Sequence, residues 1–515
     1  MTSSTCDHPT RAAARPNTAQ RLLHPVRLGA ILVGAATALG GCASYSPDGG
    51  LGVTRDIAAR ELRQDVGRIR EPADSDRVKA RVTALLRSPL SVDRAVQIAL
   101  MNNRGLQAAY NDLGISEALF VQASLPPSPT LSLTRLASTG AIEIERQLLV
   151  NVLGLATLPQ RRAVAEVRFS QAQLRAAEET LRLAGDTRRA YYRVVASSQL
   201  VNFLTQANTA ARTASELFKR LGETGAVNRL DQAREHVFYA DVAAQLARAR
   251  LQNQADRERL IRALGLWDNI TALKIPAQLP ALPPRPVSRD AIEREALEKR
   301  LDLRIARLEV DGVARQLDLT QWSRFLNVLE LQGALNNERS TRTERSYSLQ
   351  GGQLVENHQT EFERTRISGL SLEVQMPLDL GESRLREARE TYLRSVNRLV
   401  ERGVNVRSEA REAYQRYRGG FDFARHYQSQ ILPLRQIIAD ESQLRYNGMM
   451  VDVFSLLTEA RARIAANAAA IEARRDFWIA KTDLQFVVIG GAPSGGSSDT
   501  PTTAVAGAET GAAAH

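Results

Sequence analysis

The 515-residue sequence predicts a mainly α-helical protein with a small β part, organised as a duplicated helix-strand-strand-helix repeat. Three observations predict this class. First, a shift of 223 residues carries Arg146–Val167 onto Gly369–Glu390, each an alternating apolar strand that runs into a long helical stretch. The same shift superposes Ala190-Tyr191 on Ala413-Tyr414 and Gly225 on Gly448, without a gap through roughly eighty residues, which marks an internal repeat. Second, Arg161 to Leu221 contains no proline and only Gly185 as a breaker, enough for a helix on the order of 90 Å. Third, alanine, arginine, glutamate and leucine dominate the middle of the chain while aromatics make up 5%, a composition of long helices packed side by side.

The amino terminus carries Arg11, Arg15, Arg21 and Arg27, then a small-residue apolar run from Leu28 to Gly41. That run is too short to span a bilayer as a helix, which takes about 20 residues, but it suits the core of a signal peptide. It ends in Leu39-Gly40-Gly41-Cys42, which resembles the lipobox of bacterial lipoproteins. The resemblance implies that residues 1–42 hold a signal peptide, that Cys42 is diacylated, and that the chains anchor the protein durably in a membrane. Ala43 stands where an inner-membrane retention aspartate would, so the outer membrane is implied. Cys6 and Cys42 are the only cysteines, so no disulfide framework exists. Of the net charge of +11, the first 42 residues supply four arginines against Asp7, and the +8 beyond them is spread along helices rather than clustered, which argues against a nucleic-acid partner.

Residues 43–88 read as an extended arm with a short helix near Asp76 to Leu86. Repeat one, 89–275, opens at Ser91, a helix cap ahead of Ala95, Ile98, Ala99 and Leu100. After Asn102-Asn103 a second helix runs to about Ser124 and stops at Pro126-Pro127. Repeat two, 288–487, opens with Ser288, Asp290, Ala296, Leu297, Leu303 and Ala306, each 197 beyond its counterpart in repeat one. The shift is therefore 197 before the strands and 223 after them. The 26 extra residues must sit inside the second strand pair, as a longer hairpin loop.

The first hairpin, within 130–154, pairs Leu131–Leu136 with Ala141–Val152 across a compact Ser138-Thr139-Gly140 turn. The second, within 327–377, pairs Val328–Leu335 with Ile367–Met376 around a polar loop centred on Gly351-Gly352. Ile142, Ile144, Leu148 and Val150 point one way and Glu143, Glu145, Gln147 and Asn151 the other; Leu370, Leu372 and Val374 likewise oppose Ser371 and Glu373. One side is greasy and one wet, as in a half-buried soluble sheet or a lipid-facing barrel wall. The implied anchor favours the wall. Four strands cannot close a barrel and open edges are not tolerated in hydrocarbon, so such a chain must oligomerise.

Leu174, Ala177, Leu181, Ala184, Tyr191 and Val195 follow alternating three and four spacings, as coiled-coil packing requires. Turns at Gly222–Gly225 and Asn447-Gly448 return the chain through helices ending near Leu266 and Phe486. Residues 276–287 form a stiff proline-rich linker between repeats, and 488–515 a Gly, Ser, Thr and Ala tail without order.

With the Ser91–Leu100 opening, the Met376-Pro377-Leu378 strand exit, the Gly225–Ala233 turn segment and the duplication, residues 89 to 487 resemble the TolC-like outer-membrane efflux family, in its lipoprotein (OprM-like) branch. The resemblance implies a homotrimer with a twelve-stranded β-barrel, four strands from each chain, continued by the long helices as a periplasmic α-barrel. It further implies a periplasmic adaptor and an inner-membrane pump as partners, and passive export through the duct. The helical turns would close the tunnel and dock the adaptor: Gly225 and Gly448 mark them, and Asp231 matches the family aspartate six residues past the first glycine. In repeat two that place falls to Phe454, with Asp452 the nearest acid. Met450 stands in place of the family's arginine, so closure there would be apolar, with Tyr446 adding a packed or hydrogen-bonded contact. Glu143, Glu145, Glu330 and Glu373 would put carboxylates in the barrel lumen and ease cation passage. Trp322 and Phe325 would anchor at the membrane interface or pack beneath the barrel. Met449 and Met450, with those glutamates, point toward cationic cargo.

A catalytic reading has little support. The six histidines are scattered, with no pair at metal-ligand spacing, no phosphate-cradling glycine loop and no nucleophile motif, so neither cofactor nor enzyme activity is expected. The alternative that stays open is a structural periplasmic coiled-coil lipoprotein whose strands form a soluble sheet.

Overall fold

The computed structural model describes residues 45–267, 273–288, 291–350 and 353–490. The signal segment 1–42 with Cys42, Asp290 of the second opening, the Gly351-Gly352 tip and the tail beyond 490 lie outside the described residues. In chain order the elements are α1 (Gly52–Leu62), α2 (Pro72–Leu86), α3 (Val92–Asn102), α4 (Arg104–Ser124), β1 (Thr130–Ser138), β2 (Ala141–Asn151), α5 (Val152–Ala156), α6 (Leu158–Glu223) and α7 (Arg229–Leu264). The second half holds α8 (Ile292–Lys299), α9 (Leu301–Ser323), β3 (Val328–Gln350), β4 (Gln353–Gln375), α10 (Glu382–His426), a π-helical turn (Tyr427–Ile431), α11 (Leu432–Asn447) and α12 (Val453–Ile489). Two compact units result: a β-rich one, Ala118–Ala165 with Trp322–Glu382, and a helical one, Pro47–Glu117 with Glu166–Gln321 and the described residues from Ser383 onward.

In the helical unit all six predicted coiled-coil positions of α6, from Leu174 to Val195, are buried. The two openings pack alike. Leu90, Ala95, Ile98 and Ala99 cluster with Tyr191, Val194, Leu260 and Leu264. Ile292, Ala296 and Leu303 cluster with Val406, Ala410, Ala413 and Phe477. Ser91 caps α3 by accepting the Arg94 N–H at 3.3 Å, as its position predicts. The arm is more ordered than expected. Ile57, Ala58 and Leu62 form the apolar stripe of α1, an unpredicted helix, and with Leu51 just before it they are buried with Val96, Leu100, Tyr110 and Leu174; α2 begins at Pro72 rather than near Asp76. The proline-rich linker is strapped down, with Leu279 donating its N–H to Gln199 Oε1 at 3.1 Å and Trp478 Nε1 donating to the Pro280 carbonyl at 3.2 Å.

The repeat shift is not constant. Ala190 and Ala413, 223 apart, are both buried in α6 and α10. At the turns the left-handed residues are Gly225 and Met449 and the helix caps are Asn228 and Asp452, each pair 224 apart. The π-helical turn lies between these points and takes up the extra residue. Its cause is adjacent: Pro433 has no N–H for the carbonyl four residues back and its ring crowds that carbonyl, which a widened turn relieves.

In the β-rich unit one antiparallel sheet runs in the order β1-β2-β3-β4, with β1 and β4 as edges. The polar stretch expected to loop out is strand instead: β3 and β4 are 23 residues each and pair continuously from Val328↔Gln375 to Gln350↔Gln353. Apolar alternation stops at Leu335 because both faces beyond it are polar, yet Thr343↔Thr360 and the opposite charges of Arg342↔Glu361 sustain the ladder. Val152, expected to end a strand, opens α5, because Asn151 caps that helix by accepting the Gly154 N–H at 2.5 Å. In the strands the repeat shift is 222: Leu148 and Leu370 both neighbour the Gly333 row, and Val150 and Leu372 the Leu331 row.

Candidate functional site

Residues paired across neighbouring strands share a face, and alternate residues along a strand lie on opposite faces. On the wet face Glu330 sits directly opposite Glu373, with Asn151 on its other side; Asn151 Nδ2 donates to Glu330 at 3.4 Å and Gln375 Nε2 to Glu373 at 2.7 Å. Eight residues farther along β3, Glu143 faces Glu338, and Glu143 also accepts a hydrogen bond from the Asn336 amide. Glu145 belongs to the same face, beside Asn336. All four predicted glutamates are thus brought to one side, and Glu338, Glu344, Glu361 and Glu363 join them, with Arg342 as the sole basic side chain among the described residues of that face. Directly opposed carboxylates are unfavourable in a sheet unless water or cations screen them. The geometry suits a hydrated surface on which cations collect.

The opposite face holds Leu131, Leu133, Leu148, Val150, Leu331, Leu335, Leu370 and Leu372. Leu131 is 75% and Leu370 77% exposed, so none of the described residues covers this face there. Such a contiguous apolar surface marks an interaction with lipid or protein. Trp322 and Phe325 are also exposed, and the Arg324 guanidinium lies 4.3 Å from the Phe325 ring centroid. Among the described residues no helix is long and apolar enough to cross a membrane, and no His, Cys, Asp or Glu group is placed to hold a metal ion.

The second predicted site is the pair of helix turns. Gly225, at φ +78°, ends α6 in a left-handed cap in which the Ala226 N–H reaches the Leu221 carbonyl at 2.9 Å and the Gly225 N–H the Gly222 carbonyl at 3.1 Å. The equivalent cap after α11 is built differently from the expectation. Gly448 has φ −82°, and Met449, 94% exposed, takes the left-handed place at φ +58°. Met450 donates its N–H to the Arg445 carbonyl at 2.9 Å and Met449 its own to the Tyr446 carbonyl at 3.0 Å. The Tyr446 hydroxyl makes no hydrogen bond among the described residues. With the turns in register at 224, the counterpart of Asp231 is Ser455, not Phe454.

Asp231 accepts from Asn228 Nδ2 at 2.8 Å and pairs with Arg234 at 3.3 Å. The Arg234 guanidinium lies 5.1 Å from the Phe454 ring centroid, so one arginine, missed in the sequence, joins the two turns. Its signal was present: an arginine three residues after an acid in the first turn of a helix. Asp452 caps α12 through the Ser455 N–H at 3.0 Å and hydroxyl at 2.5 Å; those bonds, hydroxyl first, hold its carboxyl below the usual range. Asp231 and Asp452 are therefore engaged in helix capping and local pairing within the chain.

Above the turns α6, α7, α11 and α12 line a half-open cavity of about 480 Å³, with Phe203, Phe218, Phe238, Leu457 and Glu235 on its walls. Glu235 is 1% exposed and neither of its oxygens has a hydrogen bond. Burial pushes its pKa up, and Arg461 opposes that rise. A raised carboxyl pKa means that the fold holds the proton more tightly than the unfolded chain, so stability falls as pH rises above the ordinary carboxylate value of about 4.3. Glu235→Leu is expected to stabilise the protein by about 1–3 kcal/mol at pH 7.5 and by less at pH 4.5, read from denaturation midpoints at both pH values. An unchanged midpoint at pH 7.5 contradicts this.

No protein-family model matches the sequence. A curated relative, the cobalt-zinc-cadmium resistance protein CzcC of Cupriavidus metallidurans, is 26% identical over 274 residues, 51% of this chain. The chain spans 62% of the length of that relative. Among solved structures, CusC superposes with a TM-score of 0.65 at 13% identity, covering 79% of this chain and 94% of CusC. The outer-membrane channel OprN gives 0.62 at 16% identity, covering 85% and 96%, and the outer-membrane protein VceC of Vibrio cholerae 0.62 at 14%, covering 81% and 98%. The duplicated helical unit, the four-stranded sheet with one bare apolar face and these superpositions agree: the protein has the fold of these outer-membrane channels.

Proposed function

We propose that the protein is the outer-membrane duct of a tripartite efflux or type I export system, passing cargo from an inner-membrane pump and a periplasmic adaptor to the cell exterior. The observation that carries this reading is the sheet itself. Its two edges are open and its apolar face is bare, which lipid accepts only when copies of the chain close a barrel. A homotrimer would supply twelve strands, with the glutamate-rich face inside and the leucines toward lipid. Diacylation at Cys42 would tether each chain in the outer membrane. Transport would be passive, the energy coming from the pump.

The glutamates of the inner face lower the electrostatic cost of cation entry and raise it for anions. CzcC is a cobalt-zinc-cadmium resistance protein, and together with that face it supports metal cations as cargo. The turns at Gly225 and Met449 would form the periplasmic end, closed by the Asp231–Arg234–Phe454 contacts and opened by the adaptor. Deleting the gene is expected to raise intracellular cobalt, zinc and cadmium several-fold on metal challenge, measured by elemental mass spectrometry. The intact chain should restore export and a Glu143→Gln/Glu145→Gln/Glu330→Gln/Glu373→Gln chain only in part. Unchanged metal levels in the deletion strain would remove metal cations from the proposal.

A further inference from the structure

Charge is segregated across the sheet more sharply than an apolar outer wall requires. Toward the hairpin end the leucine-bearing face turns basic, with Arg135, Arg146, Arg339, Arg345, Arg364 and Arg366 all on it and all exposed. Arg339 sits directly opposite Arg364. Arg366 and Arg135 lie in the next same-face row, with Asn337 and Ile144 between them. Glu356 is the only acid of this face among the described residues, and it lies 3.9 Å from Arg345. The other five arginines have no ion pair or hydrogen bond among the described residues. Like charges directly opposite destabilise a sheet, so this arrangement calls for an anion from outside.

The height of the arginines names the anion. From the Leu329↔Val374 row to the Arg339↔Arg364 row is ten residues, about 34 Å along the strand. At the tilt of about 40° usual in outer-membrane barrels that is roughly 26 Å of height, close to the ~25 Å apolar band of such barrels. Arg339 and Arg364 then stand at headgroup level. Arg135 and Arg366 lie just below it, and Arg146, in the Leu335 row, can reach it only by extending its guanidinium upward along the wall. Guanidinium groups bind phosphate through paired N–H donors.

We propose that this arginine belt docks phosphate-bearing headgroups of the surrounding membrane lipid, so that each chain of the barrel holds anionic lipid at its hairpin-end rim. The inference rests on the barrel reading above. The test uses the full-length protein purified in detergent and titrated with bis-phosphorylated lipid A, bound lipid being counted by native mass spectrometry. The dephosphorylated lipid and the variant Arg135→Gln/Arg339→Gln/Arg364→Gln/Arg366→Gln serve as comparisons. Loss of either the phosphates or the arginines is expected to weaken binding at least about tenfold. Both proteins should still conduct in phosphatidylcholine bilayers, which separates this result from a failure of the channel reading. Equal binding of phosphorylated and dephosphorylated lipid by the wild type would overturn the proposal, and needs no variant to fold. Equal binding by a conducting variant would overturn it too.

Discussion

Arg300→Leu is expected to destabilise the protein by about 3–5 kcal/mol, the loss that follows when one partner of a buried ion pair is removed. Arg300 is 0% exposed. Its Nε donates to both Asp302 oxygens at 3.0 Å, and its Nη2 pairs with Asp302 at 3.0 Å and with Glu409. Arg402 reaches Asp302 from α10 at 2.7 Å. Glu178 on α6 joins the cluster: burial first, then Asp302, raises its pKa, while Arg402 and Arg300 pull it back. Without Arg300, Arg402 alone is left beside Asp302 and Glu178, and Glu409 loses its Arg300 partner. The deficit should shrink as pH falls, because the stranded carboxylates can then take up protons. Guanidinium melts followed by far-UV circular dichroism at pH 7.5 and pH 5 check both statements. Arg300→Leu/Asp302→Leu should cost less than the sum of the single changes, since it removes the unpaired charge together with its partner. A single variant that melts like the wild type would show that the cluster contributes nothing.

Gly381→Ala is expected to cost about 3 kcal/mol and to deplete the oligomer proposed above. Gly381 ends the exit from β4 at φ +75°, directly after Leu380 at φ +51°. An added Cβ would sit 2.3 Å from the Arg324 carbonyl oxygen, which is backbone and cannot swing aside. The left-handed conformation alone costs an L-residue about 1–2 kcal/mol, and the overlap adds a comparable amount. Gly225→Ala provides the control. Its φ is +78°, but a Cβ there meets nothing within 4 Å, so only the conformational part is expected. Thermal midpoints and the oligomer fraction on gel filtration of both variants decide the matter; equal losses would mean that the Arg324 contact is relaxed in solution.

How much of this was legible in the sequence depends on whether the signal was periodic. The helices of α6 declared themselves because Leu174 to Val195 recur at helical spacing, and every one of those side chains is buried. The glutamate face was legible for the same reason, at a period of two. The outer halves of β3 and β4 were not, because a strand that is polar on both faces shows no hydrophobic alternation; only its threonines and paired charges mark it. The arginines of that region therefore read as loop rather than belt. The one-residue drift of the repeat was hidden as well, since a π turn before Pro433 leaves no gap in composition, and it displaced the assignment of Phe454. Arg300 was invisible in a chain rich in arginine: Asp302 lies two residues on, but Glu409 and Arg402 of α10 join the pair only in the fold.

The most direct measurement is the oligomeric mass of the purified protein together with its single-channel conductance in a planar bilayer, from the same detergent preparation. A trimer with small, cation-selective currents is predicted by the proposed barrel, in which three sheets would close around the acidic face. A monomer that never conducts would contradict the barrel, and would leave the leucine face to some other partner.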